Sequence, residues 1–216
     1  ELRTPLTSIL GLSLTLEHDL GPGASVSGML FGGPKFLQRS ERGTFRDFTR
    51  YHVGGNAVLR SRHRLAAGAR GTLLLGVDEA YQDGAILFYS LDAAGNRGTT
   101  LRDNKREGAN NLGVFAQEQF DVGRRLGLVL GARFDVVSYY NNNFINPAID
   151  ARKTFSRLLP KLGAIWRLTP TQSLYVNVGG GVEAPAGNET DPASPFGQDT
   201  VTSINTLLDA TLPREA

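Results

Sequence analysis

Residues Leu126–Val137 read LGLVLGARFDVV. Leu126, Leu128, Leu130, Ala132 and Phe134 take alternate positions, with Gly127, Val129, Gly131, Arg133 and Asp135 between them. A period of two describes a β-strand, whose successive side chains point to opposite faces. One face of this strand is wholly apolar; the other carries glycine and charge. A soluble sheet alternates too, with its apolar side on a core. Length separates the cases: a tilted strand needs about 9–11 residues to cross a bilayer, whereas ordinary strands average about 5–6. This segment is long enough to cross. Hydrocarbon against the leucines and water against Arg133 and Asp135 satisfies both faces, while an arginine turned to lipid at the midplane costs about 2–4 kcal/mol.

The same rhythm recurs on either side. Candidate strands are Pro5–His18, Ala24–Gly33, Tyr51–Arg64, Gly71–Tyr81, Asn111–Phe120, Leu126–Val137, Ser156–Arg167 and Ser173–Val182. Their connections alternate. Short turns read DLGPG (19–23), LAAGAR (65–70), DVGRR (121–125) and LTPTQ (168–172); long polar stretches occupy 34–50, 82–110 and the asparagine-rich segment 138–155. A compact sandwich has mostly short connections. Tight turns on one side and long loops on the other are built into a transmembrane β-barrel. The expected fold is therefore all-β: an incomplete transmembrane antiparallel barrel of about eight meandering strands, with long extracellular loops and short periplasmic turns. The tail, 183–216, reads as loop, rich in Pro, Asp, Ser and Thr.

Composition narrows the function. The 216 residues include no cysteine, which excludes disulfides, thiolate metal sites and cysteine catalysis. The formal net charge of +2 is scattered, with no basic block of the kind that binds nucleic acid. No apolar run reaches the roughly 18 residues of a membrane-spanning helix, and 26 glycines fit a helical protein poorly. The sequence starts at Glu1 within a strand-like pattern, so the expectation is an internal piece whose targeting segment lies upstream.

One stretch argues otherwise. ELRTPLTSILG at Glu1–Gly11 resembles the phospho-acceptor box of sensor histidine kinases, which opens a long helix. The histidine of that box is absent. Leu10, Leu12, Leu14 and Leu16 then alternate with Gly11, Ser13, Thr15 and Glu17, a strand rhythm. Gly179–Gly181 lack the Lys and Ser/Thr of a phosphate loop. The kinase reading stands as the alternative from another class, beside a passive porin-type channel and a soluble β-sandwich binding module.

From Asn111 onward the sequence resembles the barrel of TonB-dependent outer-membrane receptors. The matching pieces are LGVFAQEQF (112–120), RRLGLVLGARFD (124–135) and LLPKLGAIWRLTPTQSLYVNVGGGVEAP (158–185), in the family's order and spacing. LPREA (212–216) looks like the segment before a further barrel strand, and LEHDLGPG and LLLGVDEAYQ fit less specifically. The resemblance implies a 22-stranded barrel around an N-terminal plug, in the bacterial outer membrane. It also implies uptake of a ferric siderophore or similar metal chelate, energised by TonB acting on the plug. No plug, TonB-contacting box or last group of strands is recognised in this sequence. Eight strands alone would leave two raw edges and would aggregate rather than transport. The implied partners are outer-membrane lipid and lipopolysaccharide, TonB through the plug, and the chelate. No cofactor, resident metal or enzymatic activity is implied.

Individual residues carry less. Glu17-His18-Asp19 reads as a polar strand end, since neighbours on a strand face opposite ways. His52 and His63 have no partners in sequence, and Glu183 and Glu189 read as solvated loop carboxylates. Tyr81, Phe88, Tyr89, Tyr139 and Tyr140 fall near the outer strand ends, where an interfacial aromatic girdle belongs. Tyr81 is assigned to that girdle. Tyr139 and Tyr140, with Arg133 and Asp135, are the candidate ligand-binding residues. Arg39, Arg42, Arg46 and Arg50 share one presumed loop and suit either an anionic chelate or lipopolysaccharide phosphates.

Overall fold

A computed structural model describes residues 6–9, 11–41, 43–65 and 69–181 of the chain. The described residues form one antiparallel sheet: β1 (Leu6–Ile9), β2 (Leu12–Gly21), β3 (Ala24–Glu41), β4 (Thr44–Arg64), β5 (Arg70–Leu91), β6 (Arg97–Val122), β7 (Leu126–Asn143), β8 (Ala151–Thr169) and β9 (Gln172–Gly179). Each strand from β3 onward pairs with the next; β1 and β2, two pieces of one ribbon, both pair with β3. A 3-10 turn at Pro147–Ile149 is the one helical element among these residues. The kinase box therefore does not open a helix. Its described part, Leu6–Ile9, is a strand zipped to Lys35–Gln38.

The eight expected ribbons are present. The turn Gly21-Pro22-Gly23-Ala24 shows why the short connections work: Pro22 takes the second position and Gly23, at φ 85°, the third. That is the glycine-requiring corner of a type II turn. The expectation fails at the other end of the sheet. Segments 34–50 and 82–110 are strand: β3 runs to Glu41 and β4 restarts at Thr44, while β5 runs to Leu91 and β6 restarts at Arg97. Most of 138–155 is also paired. The long extracellular loops are thus tall two-stranded ribbons with tight tips. Alternation vanishes there because neither face meets hydrocarbon, yet the backbone ladder continues. Of the 26 residues of β6, a bilayer takes about 9–11, so more than half of the strand stands clear of the belt.

Register sorts every side chain onto one of two faces. Opposite residues share a face, so rows can be followed from strand to strand. Val77, Val114, Phe134 and Leu158 form one row, and Leu75, Ala116, Ala132 and Pro160 the next. Leu59, Val53, Leu30, Leu14 and Leu174 extend this face sideways. The result is an apolar belt of bilayer height, reaching from Leu126 to Val136 on β7. Its charged members are Glu118, toward the turn end, 3.5 Å from His63, and Glu79, in the upper row beside Leu112 and Val136, which accepts from Asn110 at 3.1 Å. Arg133 and Asp135 lie on the opposite face.

The greasy face is the open one. Leu130 is 54% exposed whereas Asp135 is 9% exposed. Side chains converge on the concave side of a curled sheet and splay on its convex side, so the polar face is concave. Apolar burial barely exists: Ile86, Phe88, Ala109 and Ala151 are the buried apolar residues among those described, all on the concave face above the belt. The molecule is greasy outside and polar inside, the reverse of a soluble domain.

Leu130→Arg, on the belt, should lower unfolding stability in lipid vesicles by about 2–4 kcal/mol. Val129→Arg, one residue away on the concave face, should cost well under half of that. Denaturant titration of the whole protein in vesicles measures both.

Candidate functional site

The concave face carries the charge. At belt height, Asp78, Gly113 and Asp135 lie in one row across β5, β6 and β7. Arg133 sits one position below on β7 and reaches over Gly113. Its Nη1 and Nη2 donate to Asp78 at 2.7 and 2.8 Å, a bidentate fork, and its Nε donates to Asp135 Oδ1 at 2.8 Å. Gly113 makes this possible, because a methyl group there would collide with the guanidinium. Phe115 lies in the same way over Gly76 of β5. Large side chains thus lie flat across glycines on neighbouring strands, which keeps the concave surface low. Lys161 continues the lining below, donating to Gln117 at 3.1 Å.

Above the belt the lining becomes cationic. Register places Lys35, Arg39, Arg46, Arg50, Lys105 and Lys153 on this face, against Asp103 and Glu107. Aromatic rings hold several of them: Arg46 lies 5.0 Å over the Phe88 ring, Arg50 4.7 Å over Phe48, and Lys105 5.7 Å from Phe88. Glu107 takes Lys105 at 2.6 Å and Arg50 at 3.3 Å. Toward the tip, Asn143 donates to Asp103 at 2.7 Å. Asn141, 2% exposed, has no hydrogen-bond partner for either end of its amide among the described residues.

The four sequence-designated residues divide. Arg133, Asp135 and Tyr139 share the concave face; Tyr139 packs edge-on against Phe155 at 6.5 Å between centroids, and burial raises its phenol above the usual range. Tyr140 points the other way. It lies over Gly108 on the convex face and donates its hydroxyl to Asp83, which also receives Nε of Arg106 at 2.8 Å. The Arg106 guanidinium, helped by Tyr140, holds the Asp83 carboxyl below the usual carboxylate range. Burial and the ionised Asp83 push the Tyr140 phenol up. Adjacent residues on a strand point to opposite faces, so the register sets Tyr139 and Tyr140 on different sides of the sheet.

Other expectations resolve by the same parity. Tyr81, 39% exposed on the convex face at the upper rim of the belt, occupies the girdle position. Tyr51 and Phe36 belong beside it and were not singled out from sequence. Phe88 is buried on the concave face instead, under Arg46. Arg39, Arg46 and Arg50 are on strands rather than a loop, and they face inward; Arg42 lies outside the described residues, as do Glu183 and Glu189. Glu17 and Asp19 share a face from which His18 points away. Among the described residues no three His, Asp or Glu side chains gather as a metal site. Lys105, Glu107 and Asp103 were missed because 82–110 read as loop. The run AILFYSL at 85–91, rich in strand-favouring residues, was the available signal.

Comparison with known proteins agrees with this architecture. The family model described as "TonB dependent receptor-like, beta-barrel" matches residues 7–211. Among solved structures, the chain superposes on the unliganded ferric citrate transporter FecA at TM-score 0.71 and 14% identity, covering 82% of this chain and 28% of that one. It superposes on the open form of the ferric-catecholate import receptor Fiu from E. coli K12 at TM-score 0.67 and 12% identity, covering 84% and 36%. For FpvA of P. aeruginosa bound to a ferric pyoverdine the values are 0.62 and 18%, covering 77% and 26%. The chain thus spans about a quarter to a third of the length of these proteins. No curated protein matches the sequence.

Arg133→Met should cost about 1.5–3 kcal/mol, the value of charge-assisted hydrogen bonds whose partners are left behind. Converting Asp78 and Asp135 to Asn in the same protein should recover most of the loss. Denaturant midpoints of the single and triple variants of the whole protein read this directly.

Proposed function

The chain belongs to the TonB-dependent receptor family, as part of its β-barrel, and from that premise we propose that it forms wall strands of an outer-membrane receptor that captures an anionic metal chelate, in the manner of a ferric siderophore. Uptake is energised by TonB acting on a plug encoded elsewhere in the protein. Arg133 and Asp135 line the lumen at membrane height, and Tyr139 lines it just above. The cationic wall over them makes the first contact with ligand. The protein is a transporter and not an enzyme.

One observation carries this reading: on the concave face above the belt, among the residues whose side chains are described, six cations stand against two carboxylates. A concave, one-signed surface with low-dielectric walls focuses its field and raises the capture rate of an oppositely charged ligand. Ferric complexes of catecholates and of citrate are anionic, and several of these cations are already fixed over aromatic rings or by Glu107. They are therefore ordered before ligand arrives, which reduces the entropy lost on binding.

The test uses the whole receptor in cells. Radiolabelled iron should enter as an anionic chelate only when TonB is present, and entry should weaken at high ionic strength. Arg46→Ala with Arg50→Ala should weaken chelate binding by about tenfold while leaving receptor abundance unchanged. Uptake that persists without TonB would mark a passive channel and overturn the proposal.

A further inference from the structure

One row of the concave face above the belt runs Lys35, Arg50, Gly84, Glu107, Asn141, Ala151, one residue from each of β3 to β8. Lys35 and Arg50 are directly opposite each other, where like charges repel. Gly84 places no side chain between Arg50 and Glu107, and Arg50 Nη2 reaches across it to donate to Glu107 Oε2 at 3.3 Å. The other carboxylate oxygen, Oε1, takes Lys105 Nζ at 2.6 Å. Glu107 thus holds two cations unequally. Only 3% of the Lys105 side chain is exposed, and an uncompensated charge so deeply buried is strongly destabilising. Arg50 is 20% exposed, rests on the Phe48 ring as well, and meets Glu107 just beyond the usual length of such a bond. The Arg50 contact is the one that can open.

Asn141 flanks Glu107 on the other side. It is buried, yet neither end of its amide has a hydrogen-bond partner among the described residues. Ala151, next in the row, brings no polar side chain. Buried polar groups are nearly always hydrogen-bonded, so an amide left open at both ends calls for a reason. Register supplies one. Directly opposite residues hold their Cβ atoms about 4.5–5.5 Å apart, a gap that a glutamate and an asparagine side chain can close. A carboxylate oxygen that lets go of Arg50 finds the Asn141 Nδ2 donors on its far side.

We infer, resting on the chelate reading above, that Glu107 is a specificity-determining residue: it competes internally with the ligand for Arg50, and Asn141 receives its Oε2 when the ligand wins. Oε1 stays on Lys105 throughout, so the buried cation keeps its counter-ion. The hand-over exchanges one hydrogen bond of Oε2 for another and leaves Arg50 and Lys35 side by side for the ligand. It also filters. A simple carboxylate offers Arg50 no more than Glu107 already does. A multiply charged chelate bridges Arg50 and Lys35 and relieves their repulsion. A competitor built into the wall therefore sets a threshold that only the more highly charged anion passes.

The whole receptor in detergent is titrated with ferric citrate and with a ferric tris-catecholate at fixed ionic strength. Glu107→Gln should tighten binding about fivefold. It should also make binding sensitive to acetate, to which the wild type is indifferent when chloride balances the salt. Asn141→Leu should weaken binding about threefold and raise the denaturant midpoint, because an unpaired buried amide gives way to an apolar side chain of similar size. In the double variant the effect of Asn141→Leu on binding should largely vanish, since no displaced carboxylate is left to receive. Asn141→Leu alone keeps the test decisive if Glu107→Gln does not fold, because Asn141 gives up no hydrogen bond. Wild-type binding in Asn141→Leu, an equal loss in both backgrounds, or acetate sensitivity of the wild type overturns the proposal. TonB-dependent uptake alongside any of these leaves the receptor reading standing, whereas a wild type that binds neither chelate overturns both.

Discussion

A chain crossing hydrocarbon has no water to satisfy its amides, so every backbone group must find a partner in the protein itself. The rest of this structure depends on that constraint. It produces a ladder in which β3 through β9 each pair with their sequence neighbour, without a crossover. Once the ladder is fixed, strand parity assigns each side chain to lipid or to lumen, with no intermediate choice. A single-residue slip would exchange the two faces completely. The leucines of β7 and the Arg133–Asp135 pair are therefore two consequences of one register.

The inverted distribution of polarity has its own requirements. Charges on the concave face sit close together, partly buried, and must be paired. The strand spacing sets where partners can be found: Arg133 reaches Asp78 two strands away only because the intervening residue is Gly113. The lumen is thus organised by pairs of long side chain and glycine, rather than by the interdigitated packing of a soluble core. Above the belt, among the described residues, cations outnumber carboxylates, and aromatic rings lie under several of them.

The two faces of the ribbons above the membrane also divide the labour. Arg46 and Arg50 lie on the concave face while Arg106 and Arg152 lie on the convex one, although all four belong to segments that read alike as polar sequence. Tyr139 and Tyr140 illustrate the same division between neighbours. Charge close to the outer end of a barrel strand has no meaning for function until its parity relative to the belt is known.

Much was legible in the sequence. Alternation over LGLVLGARFDVV fixed the strand, its lipid-facing row and the wet side of Arg133 and Asp135, because a two-residue period is imposed wherever one face meets hydrocarbon. The short turns were legible for the same reason that Gly23 is a glycine: the corner admits little else. What stayed dark lay above the bilayer, where both faces of a ribbon meet water. There the hydrophobic pattern fades, so strands in 34–50 and 82–110 looked like loop, and the inward turn of Arg39, Arg46 and Arg50 could not be read. Pairing across strands, between residues such as Arg133 and Asp78 that lie 55 positions apart, is a property of register. Only the tertiary structure decides it, because backbone hydrogen bonds set register between strands while the local pattern records only which face is greasy.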